Sequence, residues 1–331
     1  MPFLNEKENL LLALDGQRPE WVPNFGKAAV WYESPAVARR PLPDGRTVDA
    51  FGVVFTSTID GHMPDHTRDG VCRLEDITKW KEIMPQLDLD AIDWETEGKM
   101  AAQKGTAQYG TGAAEGEKVS NYVMGFLWDE LHYLMGFENA LMALVSEPEA
   151  CYDFLQAAAD FWIGAFRRQV RYFKPDMAML IDHLSNANNM LMSPAIYREI
   201  IKPAQKKVFT AILDAGVRAE IHVDGYIEPI LPDLAEMGVK IIQPFQIYND
   251  IERAKKEHGM ICIGGWDAFG DGNMETSTEE QVRQSVRTAM DLYAPSGRYV
   301  FYCSGATPKY PEHLRWLEDE AEIYGHRFYK D

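Results

Sequence analysis

The second half of the chain alternates short apolar runs with longer amphipathic stretches, and this alternation most restricts the fold. Segments such as STEEQVRQSVRTAMDLYA (277–294) have helical periodicity. Near-continuous apolar strands separated by helices predict a parallel sheet that is covered on both faces. The apolar runs, each ending in polar residues or glycine, are MAMLIDHL (177–184), RAEIHVDG (218–225), VKIIQPFQ (239–246), MICIGGWD (260–267) and RYVFYCSG (298–305).

The first half is less regular but supplies further elements. MPFLNEKENLLLALDG predicts an amphipathic helix, WVPNFG (21–26) a first strand, and residues 41–70 a hairpin-like excursion with a turn at Asp44-Gly45. A length of 331 residues is normal for a (β/α)8 barrel with extensions. We therefore predict one TIM-barrel domain over residues 1–331, with an N-terminal helical extension and an early hairpin-like excursion. A doubly wound open sheet is the alternative, although it normally carries a glycine-rich phosphate turn.

Charge and composition exclude several classes of partner. The net charge of −18 argues against nucleic acid and against an anionic membrane surface. There is no run of 18 apolar residues, so no membrane span is expected. The four cysteines form no CxxC pair, and the start of the chain lacks the order of a signal peptide. We expect reduced thiols and a cytoplasmic protein.

Polar residues at the strand ends are the candidates for chemistry, because the active site of a (β/α)8 barrel lies at the carboxyl ends of its strands. In RAEIHVDG, His222 and Asp224 are two apart and therefore point to the same side. Together with Cys303 they form a credible zinc set with an open fourth position, and Glu220 is a reserve ligand. The alternatives are a plain His–Asp hydrogen bond and a cysteine that acts as a small core residue.

Other strand-end residues are predicted to act on or bind a substrate. Asp182 and His183 are the catalytic candidates, although Asp182 could instead cap the following helix. Aromatic side chains at strand ends could form the walls of a pocket for an aromatic ring, although ordinary core packing explains each of them as well. The predicted substrate-binding residues are Tyr122, Phe126, Gln243 and Trp266.

The order and spacing of several motifs resemble the uroporphyrinogen decarboxylase-like superfamily, and within it the corrinoid-dependent methyltransferases. The resemblance covers nearly the whole chain and implies a TIM barrel. True decarboxylases carry an arginine-bearing N-terminal segment, whereas VPNFGKAAVWYES has only Lys27. The motifs that carry the resemblance are NLLLALDGQRPEWVP, DAFGVVF, IDHLSNANNMLMSPAIYREIIKPAQKKV, IHVDGYIEPILPDLAEMGVKIIQP, GGWD and FYCSGATPKYPEHL.

The resemblance also implies a metal. The thiol-methylating members carry zinc on a histidine, a cysteine and a late cysteine; His222 and Cys303 match the first and third, and Asp224 replaces the second. A carboxylate in place of a thiolate leaves zinc more Lewis-acidic, which suits an ether oxygen better than a thiol. The resemblance thus implies the methyltransferase component of an O-demethylase.

The expected reaction moves a methyl group from an O-methylated, methoxylated aromatic compound to the cobalamin of a partner corrinoid protein. The glycine-rich stretch 105–118 is a candidate docking loop for that partner, and a homodimer is left open. Two alternatives remain: a decarboxylase that acts on a smaller substrate, and a barrel without chemistry that serves as a binding subunit.

Overall fold

The computed structural model describes residues 4–34, 36–58, 61–64, 72–104, 117–306 and 310–329. Its helices are α1 (Glu6–Leu14), α2 (Phe25–Ala28), α3 (Trp94–Lys104), α4 (Trp128–Met135), α5 (Phe137–Ser146), α6 (Pro148–Gln169), α7 (Pro194–Ile196), α8 (Lys202–Asp214), α9 (Leu231–Glu236), α10 (Ile251–His258), α11 (Glu279–Tyr293) and α12 (Pro311–Arg327). A π-helical segment, Tyr197–Ile201, joins α7 to α8.

The strands form two sheets, whose members are β1 (Ala29–Tyr32), β2 (Arg40–Pro41), β3 (Thr47–Val48), β4 (Val54–Thr58), β5 (Gly61–Pro64), β6 (Val119–Phe126), β7 (Met177–Ile181), β8 (Arg218–His222), β9 (Ile241–Phe245), β10 (Ile261–Gly265) and β11 (Tyr299–Tyr302). The larger sheet has seven parallel strands in the order β1-β6-β7-β8-β9-β10-β11. The predicted α/β fold with a parallel sheet is confirmed.

Closure into eight strands is not seen in the strand pairing of the described residues. Residues 21–26, predicted as the first strand, contribute a single parallel bridge between Asn24 and Phe301, and the Phe301 N–H donates to the Pro23 carbonyl at 2.9 Å. The strand prediction was wrong here because the Asn24 side chain accepts from the Gly26 N–H and begins helix α2. The bridge nevertheless places the segment before β1 beside β11, at the far edge of the sheet.

The predicted excursion is present as a second, four-stranded antiparallel sheet in the order β2-β3-β4-β5. The turn between β2 and β3 includes Gly45, whose φ of 87° favours glycine. The Phe51 ring, which follows β3, packs against Phe154 and Trp162 of α6. The excursion is therefore fixed to the helical layer around the larger sheet.

The seven-stranded sheet separates two hydrophobic cores, because successive side chains of a strand point to opposite faces. The inner core contains Val119, Met177, Ile241, Ile261, Ile263 and Val300, and Leu10 and Leu14 of α1 pack against it. The outer core lies between the other face and the helices; strand neighbours of the inner residues, such as Ala178, Ile242 and Cys262, belong to it. We call these two sides the inner and outer faces.

In the part of the chain that the structure describes, no helix combines the length and the apolar character needed to span a bilayer.

Candidate metal centre

Three side chains converge at the carboxyl ends of β7 and β8. His222 is the last residue of β8, Asp224 follows it by two, and His183 follows β7 by two. Pairing of Ile181 with His222 brings the two strand ends to the same level. One donor atom from each of His183, His222 and Asp224 lies within 4.8 Å of the other two. The structure therefore brings together two of the predicted ligands and one of the predicted catalytic residues.

Both imidazoles are held through the same ring nitrogen. The His222 Nδ1 lies 2.5 Å from the side-chain oxygen of Gln243, which can only accept, so this nitrogen carries the proton and donates. The His183 Nδ1 contacts an oxygen of Asp129 in the same way. Each ring is thereby left with Nε2 to offer, and the Nε2 of His183 lies 3.2 Å from Asp224 Oδ2. This arrangement is usual for metal-ligating histidines, whose second nitrogen is fixed by a carboxylate or carbonyl group.

Asp129 is the functional residue that the sequence analysis missed. It lies in the first turn of α4, is fully buried, and accepts from the backbone N–H of His183 at 2.9 Å. The His132 Nε2 lies 3.3 Å from the same carboxylate. The available signal was LWDEL directly after β6, since an acidic residue that begins a helix at a strand end of a parallel sheet faces the active-site edge.

The charges around His183 favour a bound cation. Burial lowers the pKa of His183, but the carboxylates of Asp129 and Asp224 outweigh it and raise the pKa to about 11. Burial raises the pKa of Asp224, but its contact with His183 brings the pKa below the ordinary value. Burial and the neighbouring His183 lower the pKa of His222. The proton on His183 is therefore held between two carboxylates, and a metal ion would take its place.

The Asp182 carboxylate is fully buried and bonded to internal donors. It accepts from the Leu127 N–H at 2.9 Å, the Asp129 N–H at 3.3 Å and the Gln205 side chain at 2.8 Å. It therefore caps the N-terminus of α4 and fixes Asp129, which holds His183. Burial, with the charge of Asp129, raises the pKa of Asp182 to about 7. The catalytic role of Asp182 stays a prediction. Its contacts cap α4, which precedes Asp182 in the chain, whereas the sequence suggested the helix that follows it.

Cys303 follows β11 by one residue and packs against the outer core. Burial raises the pKa of its thiol to about 12, so without a metal the sulfur is protonated. Among the described residues, the group of donor atoms around His222 contains His183 and Asp224 but not Cys303. The ligand role of Cys303 stays a prediction.

Glu220, the reserve ligand, lies two residues before His222 and is fully buried. It accepts from the Asn121 side chain at 2.6 Å, and burial raises its pKa to about 8. A carboxyl with this pKa is mostly uncharged at neutral pH, which is compatible with the full burial of Glu220. Among the described residues, the group of donor atoms around His222 does not include Glu220.

The predicted substrate-binding residues occupy different places. Gln243 holds His222, as described above. Tyr122 lies in the outer core, with the ring of Phe166 at 5.5 Å. Trp266 is buried in the same core and donates to Ser285 of α11 at 2.8 Å. Phe126 is half-buried near α4, with the guanidinium of Arg39 5.6 Å from its ring. Substrate binding by these residues stays a prediction, as does docking at residues 105–118, of which 105–116 lie outside the described residues.

The parallel sheet is curled, and two imidazoles and a carboxylate lie at the C-terminal ends of its strands. These features define an α/β protein of the TIM-barrel type with a candidate metal centre. The model of the uroporphyrinogen decarboxylase (URO-D) family matches residues 123–316. The chain belongs to that family, as the motifs predicted. The match includes every residue of the candidate centre.

Among solved structures, the chain is similar to a methyltransferase from Methanosarcina mazei, with a TM-score of 0.63 and 14% identity, over 97% of this chain and 99% of that one. This likeness shows the fold. A B12-independent methionine synthase from Shewanella sp. W3-18-1 in complex with selenomethionine aligns with a TM-score of 0.45 and 13% identity, over 73% of this chain and 69% of that one. No curated protein matches the sequence.

Proposed function

We propose that the protein is a zinc-dependent methyltransferase that moves a methyl group from a methoxylated aromatic compound to the cob(I)alamin of a corrinoid protein. The observation that carries the proposal is the pair of imidazoles, each fixed through Nδ1, that offer Nε2 beside Asp224. The URO-D family and the fold of the Methanosarcina mazei methyltransferase support it.

The donor set fits a catalytic zinc ion. Two imidazole nitrogens and one carboxylate are the protein ligands of several catalytic zinc sites, which leave a fourth position for water or substrate. The outer contacts fit as well, since Asp129 and Gln243 fix both rings. The proposal takes His183 as the third ligand, whereas the sequence motif favours Cys303.

The residues divide the work of the reaction. Bound zinc would polarise the ether oxygen, so that the leaving phenoxide is stabilised as its methyl group departs. Asp129 keeps the His183 ring in place and in one tautomer, and Gln243 does the same for His222. Asp182 fixes the first turn of α4 and thereby the position of Asp129. The carboxylate of Asp224 donates less charge than a thiolate, which keeps the centre suited to oxygen.

The test is a methyl-transfer assay with purified protein, a reduced corrinoid protein and a panel of methoxybenzenes, methylated thiols and methylamines. We expect the cobalt spectrum to change from cob(I)alamin to methylcobalamin with the ethers. Turnover of thiols or amines without any ether would refute the argument from ligand hardness.

A matched pair of variants tests the third ligand. If His183 coordinates zinc, His183→Ala loses the metal, and Cys303→Ala retains about one zinc per chain. The opposite result would assign the third position to Cys303, as the motif predicts. Retention of zinc in both variants would reject a three-ligand site built on either residue.

A further inference from the structure

Neighbouring aromatic residues of β1 face opposite sides of the sheet. Tyr32 is buried in the outer core, with the rings of Phe173 and Tyr122 at 4.8 and 5.2 Å. Trp31 is half-buried and packs against the inner core. Its ring centroid lies 5.9 Å from that of His222, with the two ring planes perpendicular. Trp31 therefore borders the candidate metal centre, whereas Tyr32 does not.

A second aromatic residue lies on the inner face and shares a neighbour with Trp31. Tyr302, the last residue of β11, is half-buried and also packs against the inner core. Phe25 lies beside both, 6.5 Å from Trp31 and 5.5 Å from Tyr302 between ring centroids. Two half-buried aromatic side chains, Trp31 and Tyr302, therefore lie at the inner core around Phe25, and Trp31 is in ring contact with His222.

Polar groups lie close to Trp31 because its ring contacts His222. His222 and Gln243 are paired in register on β8 and β9, and Asp224 follows β8. A half-buried aromatic ring beside candidate metal-binding groups is suited to a substrate with an apolar ring and one reacting oxygen. Aromatic pairs in offset or edge-to-face contact bind more tightly than the area they bury would give.

We infer that Trp31, with Tyr302, forms the surface that binds the aromatic ring of the methyl donor, and that Trp31 sets the preference for aromatic over aliphatic ethers. The inference rests on the proposed function and assigns ring recognition to residues other than Tyr122 and Trp266, which lie in the outer core. Contact with the ring holds the methoxy oxygen toward His222, so loss of the indole weakens binding of aromatic donors without removal of a metal ligand.

The test uses the zinc-loaded protein and phenol, which represents the demethylated product. Calorimetry should show that Trp31→Leu raises the Kd for phenol at least about tenfold, whereas Trp31→Phe changes it by less than about threefold. Tyr32→Phe, a neighbour on the outer face, is the matched control and should leave the Kd unchanged. Zinc content should stay the same in all three variants.

Kinetics give the second readout. Trp31→Leu should raise KM for a methoxybenzene about tenfold or more and leave kcat and the turnover of dimethyl ether within about twofold. Equal losses with both ethers, or a loss of zinc, would show that Trp31 only positions His222 and would overturn the inference. The phenol measurement needs no methyl transfer; if no donor is turned over yet phenol binding depends on Trp31, the proposed function fails and ring recognition stands.

Discussion

The inner and outer faces of the seven-stranded sheet are built from alternate residues of the same strands, yet they do different work. On β6, Asn121 lies on the inner side and bonds to Glu220, whereas Tyr122 packs among aromatic rings of the outer core. On β8, His222 reaches the candidate metal centre, while Ile221 is part of the outer core. The outer face carries the packing that stabilises the fold, and the carboxyl end of the inner face carries the groups with chemistry.

The comparison shows why burial alone is a poor guide to function. Asn121, Glu220 and Tyr122 are all almost fully buried. The first two form part of a polar layer below His222, and the third is a packing residue. Which face a residue occupies follows from the two-residue period, so a shift of one position separates a ligand from a core residue.

The strongest loss is expected from removal of a proposed ligand on the inner face. His222→Ala removes one of the three proposed donors, so the zinc stoichiometry should fall from about one per chain toward zero, and methyl transfer should fall with it. Elemental analysis and the cobalt assay measure the two effects. The unfolding free energy of the metal-free protein should change little. Full zinc occupancy in this variant would remove the distinction between the faces.

An outer-face truncation should show the reverse pattern. Phe166 is fully buried and packs against Tyr122. Phe166→Ala should lower the unfolding free energy by about 3–5 kcal/mol through lost burial and a cavity. Urea denaturation measures the change. The folded fraction should keep its zinc; a metal-free but stable variant would contradict the assignment of Phe166 to packing alone.

Asp129→Asn tests a residue that acts through His183, a proposed metal ligand. The amide oxygen can still accept from His183, but without a negative charge it orients and polarises the ring less well. Loss of such a partner typically lowers metal affinity 10–100-fold. Chelator competition should therefore show a decrease of about this size. An unchanged affinity would mean that Asp129 only supports the backbone of α4 and β7.

A smaller effect concerns Asp49, a buried carboxyl directly after β3. Burial raises the pKa of Asp49 to about 6, although the Phe51 and Val53 N–H groups donate to it at 2.9 Å. Glu130, whose pKa burial and Asp49 also raise, and the cation of Arg39 face it. Because the folded-state pKa exceeds the ordinary 3.8, the protonated carboxyl stabilises the fold at low pH. This contribution is lost as the pH rises through about 6.

Asp49→Asn keeps the hydrogen-bond acceptor and cannot ionise. As the pH rises from about 4.5 to about 7.5, the unfolding free energy of the variant minus that of the unsubstituted protein should increase by about 2 kcal/mol. Urea denaturation at the two pH values measures the difference, and Asp44→Asn, an exposed turn position, is the control. Curves that stay parallel across this range would show that Asp49 is not protonated in the folded state.

The parallel sheet could be predicted because its strands are continuous apolar runs, and the convergence of His222 with Asp224 because both follow from one strand's alternation. The role of residues 21–26 could not, since Asn24 begins a helix there. LWDEL directly after β6 indicates an acidic residue at the strand end, but the contact of Asp129 with His183 depends on how α4 packs beside β7. Proximity to a strand end predicts Tyr122 and Trp266 as pocket residues, but it does not distinguish the two faces of the sheet.

In the proposed centre, the inner face holds zinc through two imidazoles and a carboxylate. X-ray absorption at the zinc edge of the purified protein distinguishes this ligand set from one that contains sulfur. We expect a shell of nitrogen and oxygen neighbours at about 2.0–2.2 Å, with imidazole scattering and no sulfur. A sulfur neighbour at about 2.3 Å would contradict it and place Cys303 on the metal.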